Sequence, residues 1–329
     1  MEQWVVRNDQ ISSLGNVTYL GIPYDDIQSG KVGTLPENYD GWFPFMRMCY
    51  SIGDLGIISG IFEALKQKYP NIKIAFASND YIDHVFHPGW IDSWSYDSKN
   101  KGSNNVDLVM ANNPFIDKIF QPGEFNIVFS DHDRSYTGLV YDGEMIRSCD
   151  EPLAEQILRR FGFTDDDFKV IDVSPRLYFT PEEINKCDKV IEEYIGSNDY
   201  GCLLLASRLE HLKGKVWEGE EHLFPYLEKY KNKPVFYYAE YDLKGSQWDE
   251  FFPNRINFSE LGLNIREQIY IKREALFNAG YQAGITDISS GGGSDVITLC
   301  PYKTIRENCI RGTRYVYKDG SSKIIEKWK

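Results

Sequence analysis

The stretch "MRMCYSIGDLGIISGIFEALKQKYPNIKIAFAS" (46–78) constrains this chain most. It opens strand-like, passes through Gly53-Asp54, takes up apolar residues at helical spacing, and ends in a second apolar strand, "IKIAFAS". Two strands separated by a helix of this length make a βαβ unit, whose strands must be parallel and whose crossover is right-handed. "VDLVMAN" (106–112) and "FNIVFSD" (125–131) are read as further strands. Residues 1–45 are rich in Gly, Pro, Asp and Asn and read as an irregular extension, with one short strand near Val17–Leu20.

The same logic restarts further along. "EPLAEQILRRFGF" reads as an amphipathic helix, Asp165-Asp166-Asp167 as an acidic helix start, "SPRLYF" as extended, and Thr180-Pro181-Glu182-Glu183 as a capped helix start with Pro in the first turn. Then follow the strand "GCLLLAS", the helix "EEHLFPYLEKYK", the strand "PVFYYAE" and the helix "NIREQIYIKREALFNAG". "QAGITDISSGGGSDVITLC" reads as strand, Gly-rich turn and helix start, and the tail as a hairpin and a short helix. The pattern is α/β with two halves, 1–176 and 177–329, each built on a parallel sheet. Such halves hold ligands in the cleft between them, at the carboxyl ends of the strands.

Composition narrows the function classes. A net charge of -13 argues against a protein whose task is gripping nucleic acid. Six scattered cysteines without metal-binding spacing read as reduced core thiols. No run of about 18 apolar residues occurs, and "MEQWVVRNDQ" lacks the form of a signal peptide. These features lead to the expectation of a cytoplasmic protein with at most peripheral membrane contact.

Four constellations can carry chemistry. In Ser51-Ile52-Gly53-Asp54, Asp54 can cap the helix or act as a base toward a hydroxyl. In "ASRLEHLKGKVW", Ser207, Arg208, Lys213 and Lys215 suit a phosphate or diphosphate, or form a solvated loop. Ser290-Gly291-Gly292-Gly293-Ser294 could bring backbone N–H groups to an anion, aided by the positive end of a following helix, although Gly-rich turns are common. Asp131-His132-Asp133 could hold a divalent metal, or be turn chemistry. His84 and His87 lack a third ligand.

Taken in order, these segments resemble the family 9 glycosyltransferases, typified by the ADP-heptose:lipopolysaccharide heptosyltransferases. The carriers are the Gly-Asp loop and helix at 51–78, the Pro-Arg-Leu before the interdomain helix, the "LKGKVW" loop, and the last helix and Gly-containing loop, over roughly residues 46–305. The resemblance implies a GT-B fold, two Rossmann-like domains facing across a cleft. It also implies an inverting, metal-independent transfer from a nucleotide-diphospho-sugar, ADP-sugars among them, to a hydroxyl of a surface glycan or glycolipid. Asp54 would be the base, with Ser51 and Gly53 on the acceptor side. Ser207, Arg208, Lys213, Lys215 and 290–294 would lie near the diphosphate, and Glu240 near the ribose. The family's last loop reads Asp-Thr-Gly with a His two residues later, and 290–294 does not. The alternatives are a metal-dependent transferase using Asp131 and Asp133, and a non-catalytic binder of nucleotide-sugars.

Overall fold

The computed structural model describes residues 18–19, 22–23, 38–47, 51–85, 102–124, 129–130, 152–159, 161–197, 199–206, 219–300 and 310–326. The chain divides into two compact units, Met1–Val173 and Ser174–Lys329. No helix among the described residues is long and apolar enough to cross a membrane.

In the first unit a two-residue pair, β1 (Thr18–Tyr19) and β2 (Ile22–Pro23), precedes β3 (Trp42–Met46). Then come α1 (Ile52–Ile58), α2 (Ile61–Lys68), β4 (Lys73–Ala77), α3 (Asn79–Val85), α4 (Asn105–Met110), β5 (Lys118–Phe120), β6 (Phe129–Ser130), α5 (Leu153–Arg159) and α6 (Asp165–Phe168). The sheet runs β5-β4-β3-β6 and is parallel throughout. The βαβ unit is present with its first strand displaced upstream. Residues 42–46, expected as loop, form the strand, and "MRMCYSI" contributes only its first residue to it. Phe43 and Phe45 share one face and are wholly buried, Phe45 against Phe62 of α2 and Phe76 of β4. That aromatic burial outweighs Pro44, which stands in register with Ala75.

The helix expected over 55–69 is two helices. At the break Ser59 turns both its N–H and its hydroxyl onto the Gly56 carbonyl, and Gly60 follows. "VDLVMAN", expected as a strand, is helix α4. Val106, Val109 and Met110 are buried at helical spacing, and the Val106 N–H is accepted by Asn79 Oδ1. Thr164 and Asp167 form a complete capping box at α6, so the acidic run starts a helix as expected.

The second unit opens with α7 (Pro181–Tyr194), capped by Thr180. It continues through β7 (Gly201–Leu205), a 3-10 turn (Glu220–His222), α8 (Phe224–Leu227), β8 (Val235–Ala239), α9 (Gln247–Phe251), β9 (Arg255–Asn257) and α10 (Ile265–Glu274). It closes with β10 (Phe277–Tyr281), α11 (Gly284–Ser289), β11 (Asp295–Cys300), β12 (Thr313–Tyr317) and β13 (Ser322–Ile324). The sheet order is β13-β12-β11-β10-β7-β8-β9, parallel except for β12 with β13. The helix expected at 220–231 is broken into α8 and flanking 3-10 turns, with Pro225 in the first turn of α8. The helix expected to reach Gly280 stops at Glu274. Beyond it Phe277 is drawn into the sheet, stacked on Tyr230 with ring centroids 4.3 Å apart. Residues 282–300 therefore run helix, turn, strand, the reverse of the expected order.

α10 buries Lys272, 2% exposed, and its Nζ has no hydrogen-bond partner among the described residues. Burial pushes its pKa down, opposed by the nearby Cys202 thiol, which burial itself pushes up to about 12. The unfolded chain holds a proton on this lysine at pH values where the folded chain does not. Stability from this group therefore falls as pH drops from the free-lysine pKa of about 10.4 toward the depressed folded value. Lys272→Met should be more stable at neutral pH by about 1–3 kcal/mol, the usual cost of an unsatisfied buried polar group. The gain should shrink toward pH 10. Paired denaturant titrations from pH 6 to 10 measure it, and the difference between the two proteins cancels the other groups.

Candidate active site

β3 ends at the carboxyl edge of the first sheet, and Arg47 is the next residue. The chain is next described at Ser51, which has the extended backbone of an N-cap and accepts the Asp54 N–H at 3.4 Å. The cap is thus Ser51, and Asp54 is the third residue of the helix, a correction to the cap position expected for it. The Asp54 carboxylate accepts from Arg47 Nη2 at 3.2 Å on Oδ1 and from the Ser51 hydroxyl on Oδ2. The Arg47 side chain is 1% exposed and that of Asp54 is 15% exposed. Gly53 is buried within the first turn.

Other helix starts in the same chain provide a comparison. At Thr164/Asp167, Thr180/Glu183 and Asn264/Glu267 the third-residue carboxylate reaches back to the N-cap N–H and closes the box. At α1 the third-residue carboxylate, Asp54, accepts from two side chains. A guanidinium and a hydroxyl fix its direction, and it stays partly open at the carboxyl end of a parallel strand. A carboxylate so held can receive a proton from a hydroxyl brought to it. Arg47 was not singled out from sequence; its one signal was a lone cation closing an apolar run.

In the second unit Glu240 lies just beyond β8, its N–H donated to the Leu205 carbonyl at the end of β7. Ser207, Arg208, Lys213 and Lys215 lie outside the described residues, as do Asp131, Asp133 and His87. Among the described residues no group of three metal-ligating side chains comes together.

Ser290–Ser294 sits at the amino end of β11, away from Glu240 at the carboxyl end of β8. No helix follows it; α11 precedes it, so the positive helix end expected there is absent. The turn brings chain segments into close approach. A Cβ on Gly291 would stand 1.8 Å from the Pro175 carbonyl oxygen, and one on Gly292 would stand 2.1 Å from Arg273 Cγ. Gly293 has φ +89, and Ser294 Oγ receives the Asn278 amide at 2.9 Å. The strand-to-helix turn at the carboxyl edge is Gln282-Ala283, between β10 and Gly284, the first residue of α11. Nearby, Glu220 collects hydrogen bonds from Tyr241, Trp248 and Tyr281, a cluster that sequence reasoning missed because "EGEEH" resembles a solvated acidic turn.

No protein-family model matches the sequence, and no curated protein matches it. Among solved structures, the family 9 glycosyl transferase of Veillonella parvula aligns over 86% of this chain and 87% of its own, at 11% identity and a TM-score of 0.55. The fold is that of a family 9 glycosyltransferase. Escherichia coli ADP-heptose lps heptosyltransferase II aligns over 83% of this chain and 90% of its own, at 11% identity and a TM-score of 0.45. Escherichia coli heptosyltransferase WaaC, solved with ADP, aligns over 86% and 94%, at 10% identity and a TM-score of 0.42. The two units with their parallel sheets thus carry the GT-B fold expected from sequence.

Proposed function

We propose that the chain is a glycosyltransferase that moves a sugar from a nucleotide-diphospho-sugar to a hydroxyl acceptor of a glycan or glycolipid, with inversion and without a metal. The observation that carries this is the setting of Asp54. Its carboxylate is held by Arg47 and Ser51, partly exposed, just beyond the carboxyl end of a parallel strand. In the reaction the acceptor hydroxyl gives its proton to Asp54 while its oxygen forms a bond to the anomeric carbon. The bond from that carbon to the diphosphate oxygen breaks, and its electron pair leaves with the nucleoside diphosphate.

The first unit takes the acceptor in this reading, with Ser51 and Gly53 beside it. The second takes the donor at the carboxyl edge of its sheet, where nucleotides bind in α/β folds. Arg208, Lys213 and Lys215, with Ser207, neutralise the diphosphate, and Glu240 meets the ribose. In this reading Gln282 and Ala283, leading into Gly284, take the strand-to-helix position that the family resemblance implied for 290–294. This turn carries neither the Asp nor the Thr of the family's Asp-Thr-Gly, so the sugar need not be a heptose.

The test is a thermal-shift screen with ADP-, UDP-, GDP- and CDP-sugars, followed by an assay for released nucleoside diphosphate. One donor class at saturating concentration should raise Tm by several degrees, since a ligand at about 100 times its Kd adds about 2.7 kcal/mol. The same class should release diphosphate when a sugar acceptor is added. Stabilisation without release would make the protein a binder. No stabilisation by any of the four would remove the donor site.

A further inference from the structure

We propose that Glu220 is a positioning residue for the donor pocket, a buried carboxylate that ties together the segments at the carboxyl edge of the second sheet; this rests on the glycosyltransferase reading. Glu220 is 3% exposed. Its Oε2 accepts from the Tyr241 hydroxyl at 2.5 Å and from Trp248 Nε1 at 2.6 Å, and its Oε1 accepts from the Tyr281 hydroxyl. Among the described residues no cation pairs with it, so three neutral donors compensate the loss of hydration.

The choice of side chain is informative. A carboxylate accepts on both oxygens and has nothing to donate, so it can turn two phenols and an indole inward at once; a glutamine in its place would aim an NH2 at one of them. The three donors come from different segments. Tyr281 is the last residue of β10, Tyr241 lies two residues beyond β8, and Trp248 belongs to α9. β10 and β8 are the strands that flank β7, so Glu220 bridges strand ends on either side of it. Two of its partners adjoin the residues the donor is proposed to meet: Glu240 precedes Tyr241, and Gln282 follows Tyr281.

A hub needed only for stability could be apolar, because a buried charge seldom outperforms a well-packed hydrophobic group. What a carboxylate adds is direction. It fixes where Tyr241 and Tyr281 point, and through them the backbone at Glu240 and Gln282. Preorganisation of that kind strengthens ligand binding without touching the ligand.

The experiment compares wild type with Glu220→Gln in the full chain, using calorimetry with ADP, UDP, GDP and CDP and kinetics with the matching donor. For the nucleotide that binds, Kd and donor KM should rise together by about tenfold, while kcat at saturating donor and acceptor KM stay within about threefold. If Glu220→Gln does not yield folded protein, Tyr241→Phe and Tyr281→Phe each remove one donor and keep the ring. Each should weaken nucleotide binding severalfold, with kcat preserved. Wild-type binding matched by unchanged affinity in the variants, even with a lowered Tm, overturns the positioning role alone. A wild type that binds none of the four nucleotides overturns the donor site and this role with it.

Discussion

Asp54→Asn is expected to fold like the wild type and to lose transfer by roughly 10²–10⁴-fold in kcat, the span that a positioned general base contributes. The substitution keeps the shape of the side chain and leaves the helix cap in place, because the cap bond runs from the backbone N–H of residue 54 to Ser51 Oγ. A carboxamide oxygen can still accept from Arg47 or from Ser51. What disappears is the capacity to take a proton from the acceptor. The loss should appear in kcat rather than in donor affinity, which belongs to the other unit in the proposed reading. The measurement is initial rate at saturating donor and acceptor, with Tm recorded alongside. A variant with full turnover and an unchanged Tm would reduce Asp54 to its part in the start of α1, and the base would have to be sought elsewhere.

Gly280→Ala should be a strongly damaging single-methyl change in the second unit, because backbone strain and backbone overlap coincide there. Gly280 has φ +133, a conformation that L side chains rarely adopt, and it sits inside β10 beside β7. A Cβ there would stand 2.0 Å from the Leu204 carbonyl oxygen and 2.7 Å from its carbon. Those are backbone atoms of the neighbouring central strand and cannot swing aside as a side-chain tip would. Strain and overlap together should cost more than about 3 kcal/mol, or a fall in Tm of roughly 10 °C for a unit of this size. Gly293→Ala is the control. It also has positive φ, +89, but nothing lies within 4 Å of its added methyl, so only about 1–2 kcal/mol of backbone strain should remain. Equal losses at the two sites would show that the close approach at Gly280 contributes nothing beyond its φ. Because Gly280 immediately precedes Tyr281, its unusual backbone also sets the direction in which that phenol leaves the strand toward Glu220.

Much of the fold was legible because buried parallel strands announce themselves. "IKIAFA", "GCLLL" and "PVFYYA" are short apolar runs with no competing period, and each is a strand. The Thr180-Pro181 helix start was equally plain, since cap, Pro and acidic third residue agree. Where signals conflicted, tertiary packing decided. "VDLVMAN" fits a strand by composition and a helix by the spacing of Val106, Val109 and Met110, and the helix won. "WFPF" was read as part of the Gly-, Pro-, Asp- and Asn-rich extension, although Phe43 and Phe45 bury fully on the sheet. "ALFNAGYQAG" contains no breaker strong enough to show that a helix ends and a strand begins within it. That single misplacement moved the Gly-rich turn to the wrong end of the sheet.

The candidate site was legible only in part, for a related reason. Asp54 stood out because Gly-Asp interrupts an apolar run, but its partner Arg47 is joined to it by the fold, seven residues away across a strand-to-helix turn. Glu220 could not be found at all from local pattern. Its partners Tyr241, Trp248 and Tyr281 lie 21, 28 and 61 residues along the chain. A burial that depends on such distant donors leaves no trace in spacing.

The strand β13 has a bearing on how the molecule behaves in company. A sheet ending on β12 would offer a five-residue row of unpaired amides and carbonyls, a ready template for another copy. Instead the chain doubles back antiparallel for only three residues, with Lys323 exposed on the outer strand. A short, charged border of reversed polarity is a poor surface for edge-to-edge growth. The closing hairpin therefore guards the protein against aggregation as well as completing its core.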